Sequence, residues 1–243
     1  MTPAAFILAL AIGTGMGLLG GGGSIVAVPA LTLVFDFAPK EAVLSSLVIV
    51  GLAAAAGAAG ALARGVLPLR VALIVGLPAI GGAAIGGAIG ARLDDRVQLL
   101  MLAATMLAAA MVMLRPQPER AGAAHRPSLV LSATGLGVGT LTGMIGVGGG
   151  FLLVPALIAL AALPMTKASA VSLFVIVLSA ASAIPHYAGR TALSWSFIAP
   201  FAGVAAAGAI GGGVVASRLP HQLLQRVFAA MLVIVGSYLL LKA

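Results

Sequence analysis

Residues 18–31 read LLGGGGSIVAVPAL, and residues 144–157 read MIGVGGGFLLVPAL. Each stretch places three or four glycines inside an apolar sequence, although glycine weakens a helix more than any residue except proline. Non-helical backbone leaves amide and carbonyl groups unpaired, at a cost of several kcal/mol for each group in hydrocarbon. Such a break persists in a membrane only where protein or a water-filled cavity surrounds it. The two stretches therefore predict two broken helices around an internal site.

The composition predicts an integral membrane protein. Of its 243 residues, 62% are hydrophobic and 7% are charged, whereas soluble domains carry about 25% charged residues. Apolar stretches of about 18 to 24 residues are typical of transmembrane helices, and the alternation typical of a β-barrel is absent. We therefore expect an all-α polytopic membrane protein. The net charge of +8 is scattered over the gaps between spans, which indicates membrane topology rather than nucleic-acid binding.

The chain repeats itself after 126 positions. This shift places Pro29 to Leu31 on Pro155 to Leu157, and Arg64 on Arg190. An internal duplication of this kind predicts two structural units. We expect a first repeat at residues 1–114, a polar linker at residues 115–127 and a second repeat at residues 128–243.

Each repeat begins with a segment too long for one crossing, residues 3–36 and 128–161. A continuous helix of that length would measure about 51 Å, against a hydrocarbon core of about 30 Å. We therefore expect each segment to fold as a glycine-broken hairpin that returns to its own side. Three plain transmembrane helices follow in each repeat, so that each repeat crosses a net three times and the two repeats are inverted. These helices are expected at about 42–63, 71–91, 97–114, 168–188, 194–216 and 222–241.

The basic residues supply an orientation. The hairpin arrangement places eight of the 13 Lys and Arg residues on one face. These are Arg64, Arg70, Arg115, Arg120, Arg126, Lys167, Arg218 and Arg226. An arrangement in which each broken segment crosses once gives seven against six, which specifies no orientation. The positive-inside rule therefore favours the hairpins, with the Arg64 face in the cytoplasm.

The two breaks are the candidate binding site. A helix that starts at a break points unpaired N–H groups and the positive end of its dipole at the break, where they can hold an anion. The residues expected to contact substrate are Gly21, Gly22, Gly23, Ser24, Gly148, Gly149 and Gly150. Ser24 is expected to cap the first half-helix. A purely structural turn is the alternative, and helix packing is the expected role of Gly82, Gly86, Gly90, Gly208, Gly212 and Ala216.

Four further polar residues are candidates for the same site. Ser45 and Ser172 begin the span after each hairpin and could donate hydroxyl hydrogen bonds to an anion. Arg190 lies at a span end and could attract one, and the same position in the first repeat is Arg64. His186 could carry a coupling proton. All five acidic residues fall at span ends or in loops, so no buried carboxylate relay is expected.

The sequence resembles the sulfite exporter TauE/SafE family of membrane transporters. The resemblance lies in the paired glycine-rich segments ending in Pro-x-Leu, the duplication, and the His186-Tyr187-x-x-Gly189-Arg190 stretch before a Trp-containing span. It implies movement of small sulfur-containing anions such as sulfite or organosulfonates. The copies are uneven, because Gly60 stands where the second repeat has His186.

Three functions follow from this reading. The first is a secondary transporter, expected to be an exporter, in which the repeats give alternating access to a small anionic substrate. The second is a passive anion channel. The third is an intramembrane hydrolase, with Ser24 as nucleophile and His186 as base. We expect no enzymatic activity, no cofactor, no metal and no nucleic acid, and we expect the lipid bilayer of the cell membrane, a bacterial inner membrane, as the surroundings.

Overall fold

A computed structural model describes residues 2–90, 92–114, 127–145, 150–187 and 193–242. These residues form ten helices and no strand. In chain order they are α1 (Pro3–Leu19), α2 (Gly22–Val34), α3 (Pro39–Ala63), α4 (Leu69–Gly90), α5 (Asp95–Leu114), α6 (Ser128–Ile145), α7 (Gly150–Ala161), α8 (Met165–Tyr187), α9 (Trp195–Ala216) and α10 (His221–Lys242).

Seven helices of the described chain are long and apolar enough to cross a membrane. Six of them are the plain spans expected from the sequence, and their starts lie close to the expected ones: α3, for example, begins at Pro39 rather than at residue 42. The seventh is α6, the first arm of the second broken segment, with 18 residues, while α1 has 17. The prediction of an all-helical polytopic membrane protein is confirmed.

The first glycine break is short. Helix α1 begins immediately after Thr2, whose hydroxyl accepts a hydrogen bond from the Ala5 amide at 3.3 Å. It ends at Leu19 and is capped by Gly20, whose φ of 73° lies in the left-handed region that glycine adopts without strain. Helix α2 begins at Gly22, so two of the four glycines are already helical. The half-helix therefore starts before Ser24, the residue that was expected to cap it.

The first broken segment begins and ends at one end of the bundle. Gly13 packs on Ala205 and Gly17 on Ala209, so α1 and α9 run side by side in the same direction. The end of α2 returns to the start of α9, where the Phe35 and Phe197 rings lie 5.0 Å apart. We call this end of the bundle the Phe197 end.

The second broken segment begins and ends at the opposite end. The Ser132 hydroxyl, near the start of α6, donates to the Ile74 carbonyl near the start of α4 at 3.4 Å. Thr166, at the start of α8, lines one cavity together with Arg64, which follows α3. We call this the Arg64 end; α3 and α9 end there, and α4, α6, α8 and α10 begin there.

Glycines bring two helix pairs into backbone contact, as expected for them. A Cβ at Gly82 would collide with the Leu136 carbonyl of α6, and one at Gly208 would meet the Leu10 carbonyl of α1. The second contact corresponds to the first after a shift of 126 positions, because Gly208 corresponds to Gly82 and Leu10 corresponds to Leu136. In the first contact the glycine belongs to the first repeat, and in the second it belongs to the second repeat. The same holds for Gly86 and Gly212, which face Thr140 and Thr14. The packing role predicted for these glycines is confirmed.

The duplication also extends to how the half-helices end. Asp36 and Ala162, 126 positions apart, both have positive φ, 53° and 52°. Beside them the Phe37 amide donates to the Leu31 carbonyl at 3.1 Å, and the Leu163 amide donates to the Leu157 carbonyl at 3.2 Å. The two repeats thus build the same turn after each half-helix.

Burial separates central from peripheral helices. The most apolar window of α3 is 61% buried, whereas that of α10 is 28% buried. Large apolar side chains on the outer helices remain exposed, among them Leu77, Met111 and Ile234. Such surfaces face lipid in a membrane protein, and α3 and α8 form the interior that holds the breaks.

Candidate functional site

The starts of α2 and α7 meet inside the bundle. A Cβ added to Gly21 would lie 2.6 Å from the carbonyl oxygen of Gly150 and 2.9 Å from the amide nitrogen of Phe151. Gly150 is the first residue of α7, and Gly21 immediately precedes α2. The starts of the two half-helices are therefore in van der Waals contact.

This contact brings two helix N-termini together. The first amides of a helix have no partner within it, and each helix start carries about half of a positive charge. Helices α2 and α7, with 13 and 12 residues, are long enough to develop this dipole. Two like partial charges side by side repel each other, and a bound anion would relieve that repulsion.

Ser24 does not cap the first half-helix, so that expectation is wrong. The residue that precedes α2 is Gly21, and no side chain caps this helix. The Ser24 hydroxyl instead donates to the Gly21 carbonyl at 2.6 Å. Because a hydroxyl has one proton, Ser24 supplies none to an anion in this arrangement.

Ser172 and Ser45 are equivalent in sequence but differ in their hydrogen bonds. The Ser172 hydroxyl donates to the Gly150 carbonyl at 2.7 Å and so ties α8 to the start of α7. Ser45 is completely buried, and within the described part of the chain its hydroxyl has no partner. Of the two, Ser45 alone keeps a free proton.

A cavity of about 230 Å³ lies between the first break and the Arg64 end. Arg64 and His221 belong to its exposed rim, and Ser169 and Leu173 belong to its buried floor. The floor touches the break, because a Cβ at Gly20 would lie 2.6 Å from the Cβ of Ser169. The complete lining is Gly17, Leu18, Gly57, Ala61, Arg64, Val66, Thr166, Ser169, Ala170, Leu173, Gly213, Ala216, Ser217 and His221.

Some of the expected site residues fall outside the described residues. Gly148, Gly149 and Arg190 are among them, and for His186 only the backbone, in the last turn of α8, is described. Fourteen residues of α8 separate His186 from Ser172, which corresponds to about 21 Å along the helix. The structure therefore groups Gly21, Gly22, Gly150 and Ser172 at the break, and does not bring His186 to it.

This separation argues against the hydrolase. A nucleophile and its base must lie within hydrogen-bond reach of each other. Ser24 lies one helical turn from the junction of the breaks and already donates to Gly21, while His186 sits near the distant end of α8.

Ser169 is a functional candidate that the sequence did not single out. It is 5% exposed, and its hydroxyl has no partner within the described part of the chain. In sequence it is one of several hydroxyls on α8, and its counterpart in the first repeat is Ala42. Ser169 lies against Gly20 because of the rotation of α8 about its own axis, and this rotation is visible only in the tertiary structure.

Paired half-helices that meet inside a bundle of long apolar helices define a multi-pass membrane transport protein. A family model described as sulfite exporter TauE/SafE matches residues 5–239. Two proteins of Xylella fastidiosa, strains Temecula1 and 9a5c, each named "Probable membrane transporter protein", are 32% identical to the chain over 96% of its length and 92% of theirs. No solved structure matches the chain. The chain belongs to the sulfite exporter TauE/SafE family.

Proposed function

We propose that this protein is a secondary transporter in the cell membrane that exports small sulfur-containing anions such as sulfite or organosulfonates. The observation that carries the proposal is the contact of Gly21 with Gly150 and Phe151, which brings the starts of α2 and α7 together. Half-helix starts that face each other at the interface of two repeats are the typical site of an anionic substrate. The family description supports a sulfur oxoanion as the substrate.

The two ends of the bundle differ in a way that supports alternating access. At the Arg64 end a cavity reaches the first break. At the Phe197 end, rings from α9 and from the segment between α2 and α3 pack together, with Phe37 and Phe197 centroids 5.3 Å apart and those of Phe197 and Phe201 5.5 Å apart. We infer a conformation open toward the Arg64 end, and the charge distribution favours the cytoplasm as the side that this end faces. Helix α4 packs on α6, and the corresponding helix α9 packs on α1, which corresponds to α6. This pairing across the repeats supports inverted repeats that rock about the breaks.

The membrane potential suffices to drive export. One negative charge gains about 2.3 kcal/mol in leaving a cell whose interior is 100 mV negative, which supports a roughly 50-fold outward concentration ratio. The chain has five acidic residues, and the four within the described chain lie at the junctions α2–α3 and α4–α5. Export of an anion along its electrical gradient requires no proton relay.

Flux measurements in proteoliposomes test the proposal. Labelled sulfite, sulfoacetate, sulfate and acetate are compared under an imposed potassium diffusion potential, with and without a pH gradient. We expect saturable movement of sulfite or sulfoacetate that follows the potential and is faster than that of acetate. Movement of cations or neutral solutes, with no response to sulfur anions at millimolar concentration, would overturn it.

A passive anion channel is the second candidate, because the contact of the breaks would also stabilise an anion in a pore. The dependence of flux on substrate concentration, on both sides of the membrane, separates the two mechanisms. Alternating access gives a flux that saturates with substrate and is accelerated by substrate on the opposite side, whereas an open channel shows no such acceleration.

A further inference from the structure

We propose that the cavity at the Arg64 end is a second anion-binding site, a vestibule in which the substrate is held before it reaches the breaks. The inference deepens the proposed function and rests on it for the identity of the anion. It is carried by three observations: an unpartnered buried hydroxyl, an unpaired guanidinium and a lining that the other repeat does not reproduce.

The buried hydroxyl is that of Ser169. A buried hydroxyl without a partner is unfavourable, and native proteins keep few of them. Ser169 is 5% exposed, lies on the cavity floor and has no partner within the described chain. Its proton has no acceptor within the described chain, and an oxoanion held against the cavity floor would supply one.

The guanidinium is that of Arg64, on the rim of the same cavity. Its Nη2 atom lies 2.7 Å from the position that a Cβ on Gly213 would occupy, so the absence of a side chain at Gly213 makes room for it. Within the described residues no carboxylate pairs with Arg64. The guanidinium is thus free to bind an oxoanion through two of its N–H groups.

The surrounding charge favours anions at this end. The described acidic residues, Asp36, Glu41, Asp94 and Asp95, lie at the junctions α2–α3 and α4–α5, on the opposite side of the bundle. The Arg64 end carries Arg70 and Lys167 together with Arg218 and Arg226. Basic residues gathered at one end of a protein raise the local concentration of anions there and the rate of their association.

The repeat preserves the arginine but not the hydroxyls. Arg64 corresponds to Arg190, whereas Ser169 corresponds to Ala42 and Thr166 to Pro39. At two further lining positions, Ser217 corresponds to Ala91 and His221 to Asp95. The four polar residues that line the cavity with Arg64 are thus specific to this end, and general packing of the duplicated fold does not require them.

The size of the cavity limits the ligand. At about 230 Å³ it holds roughly seven water molecules and lies below the range of about 300–1,000 Å³ typical for drug-sized ligands. A partly hydrated sulfite or a short organosulfonate fits this volume. Leu18 and Leu173 supply apolar contacts for a short carbon chain.

The test is anion-dependent thermal stabilisation of the purified full-length protein in detergent. Sodium sulfite and sodium sulfoacetate are titrated at constant ionic strength, with sodium acetate as the reference anion. A ligand that binds only the folded state raises the melting temperature with its concentration, which gives a dissociation constant. We expect saturable stabilisation by the sulfur anions.

Gly213→Ala leaves the charge of the chain unchanged and occupies space that the Arg64 guanidinium now fills, so that the guanidinium must shift. Its matched control is Gly211→Ala on the same helix, where an added Cβ meets nothing within 4 Å. We expect sulfite affinity to fall about tenfold in Gly213→Ala, as for the loss of a charge-assisted hydrogen bond, and to change less than twofold in Gly211→Ala.

Ser169→Ala removes the hydroxyl without endangering the fold. It should lower sulfite affinity about tenfold while leaving the ligand-free melting temperature unchanged or higher, since the hydroxyl has no partner to lose. Arg64→Gln should weaken binding most at low salt, with Arg70→Gln as the charge-matched control.

The outcomes separate the two proposals. Wild-type affinity in Ser169→Ala and Gly213→Ala, or no stabilisation of the wild type, would overturn the vestibule even if the protein transports sulfite. Weakened binding in both variants, combined with no flux of any sulfur anion through the wild type, would support the vestibule and reject the proposed transport.

Discussion

A single methyl group at Gly21 tests whether the contact of the two breaks is required for transport. In Gly21→Ala the new carbon would lie 2.6 Å from the Gly150 carbonyl oxygen and 2.9 Å from the Phe151 amide nitrogen. Favourable contacts need about 3.5 Å, so the starts of α2 and α7 must move apart by roughly 1 Å. Both atoms belong to the backbone, and no side-chain rotation can relieve the collision.

The expected effect on stability is modest and that on transport is large. Overpacking of this kind costs about 1–3 kcal/mol, which a folded membrane protein can tolerate. A displacement of roughly 1 Å in a site that must hold its ligand closely can cost up to about 100-fold in rate. We therefore expect a folded protein whose sulfite flux falls at least about tenfold.

The assay is initial sulfite flux in proteoliposomes, normalised to folded protein, together with the melting temperature in detergent. Gly87→Ala is the control, because a Cβ there meets nothing within 4 Å, whereas one at the neighbouring Gly86 would collide with the Thr140 carbonyl. The control should gain up to about 1 kcal/mol from helix propensity and transport normally. Equal flux through Gly21→Ala and Gly87→Ala would show that the contact is structural only.

Three further predictions concern hydrogen bonding, backbone strain and topology. Ser172→Ala should lose about 1–3 kcal/mol of stability through its broken bond to α7, whereas Ser45→Ala, which removes a hydroxyl without a partner, should lose none; equal melting temperatures would contradict this. Ala162→Gly should gain about 1 kcal/mol, since Ala162 holds a left-handed φ of 52°, and a lower melting temperature would count against it. Because the chain has no cysteine, Thr2→Cys and Ala38→Cys can each be labelled with an impermeant reagent; both should react from the same side of the membrane, and reaction from opposite sides would refute the first hairpin.

The helices and the breaks were readable from the sequence because their signals are local. Hydropathy over a window of one membrane thickness located the six plain spans, and a run of adjacent glycines located the break at Gly20 and Gly21. The hairpin followed from length alone, since 34 residues exceed one crossing. The exact start of α2 was missed, because Gly22 and Gly23 can continue a helix as well as interrupt it.

The sequence by itself therefore determined the membrane class, the duplication and the position of the first break. The tertiary structure decided which atoms are in contact, because these contacts depend on the rotation and tilt of helices that are far apart in sequence. Ser45 and Ser172 hold equivalent positions, yet only Ser172 gives its proton to Gly150. Ser169 gained its place on the cavity floor because α8 packs against Gly20, a contact between different repeats that no local pattern encodes.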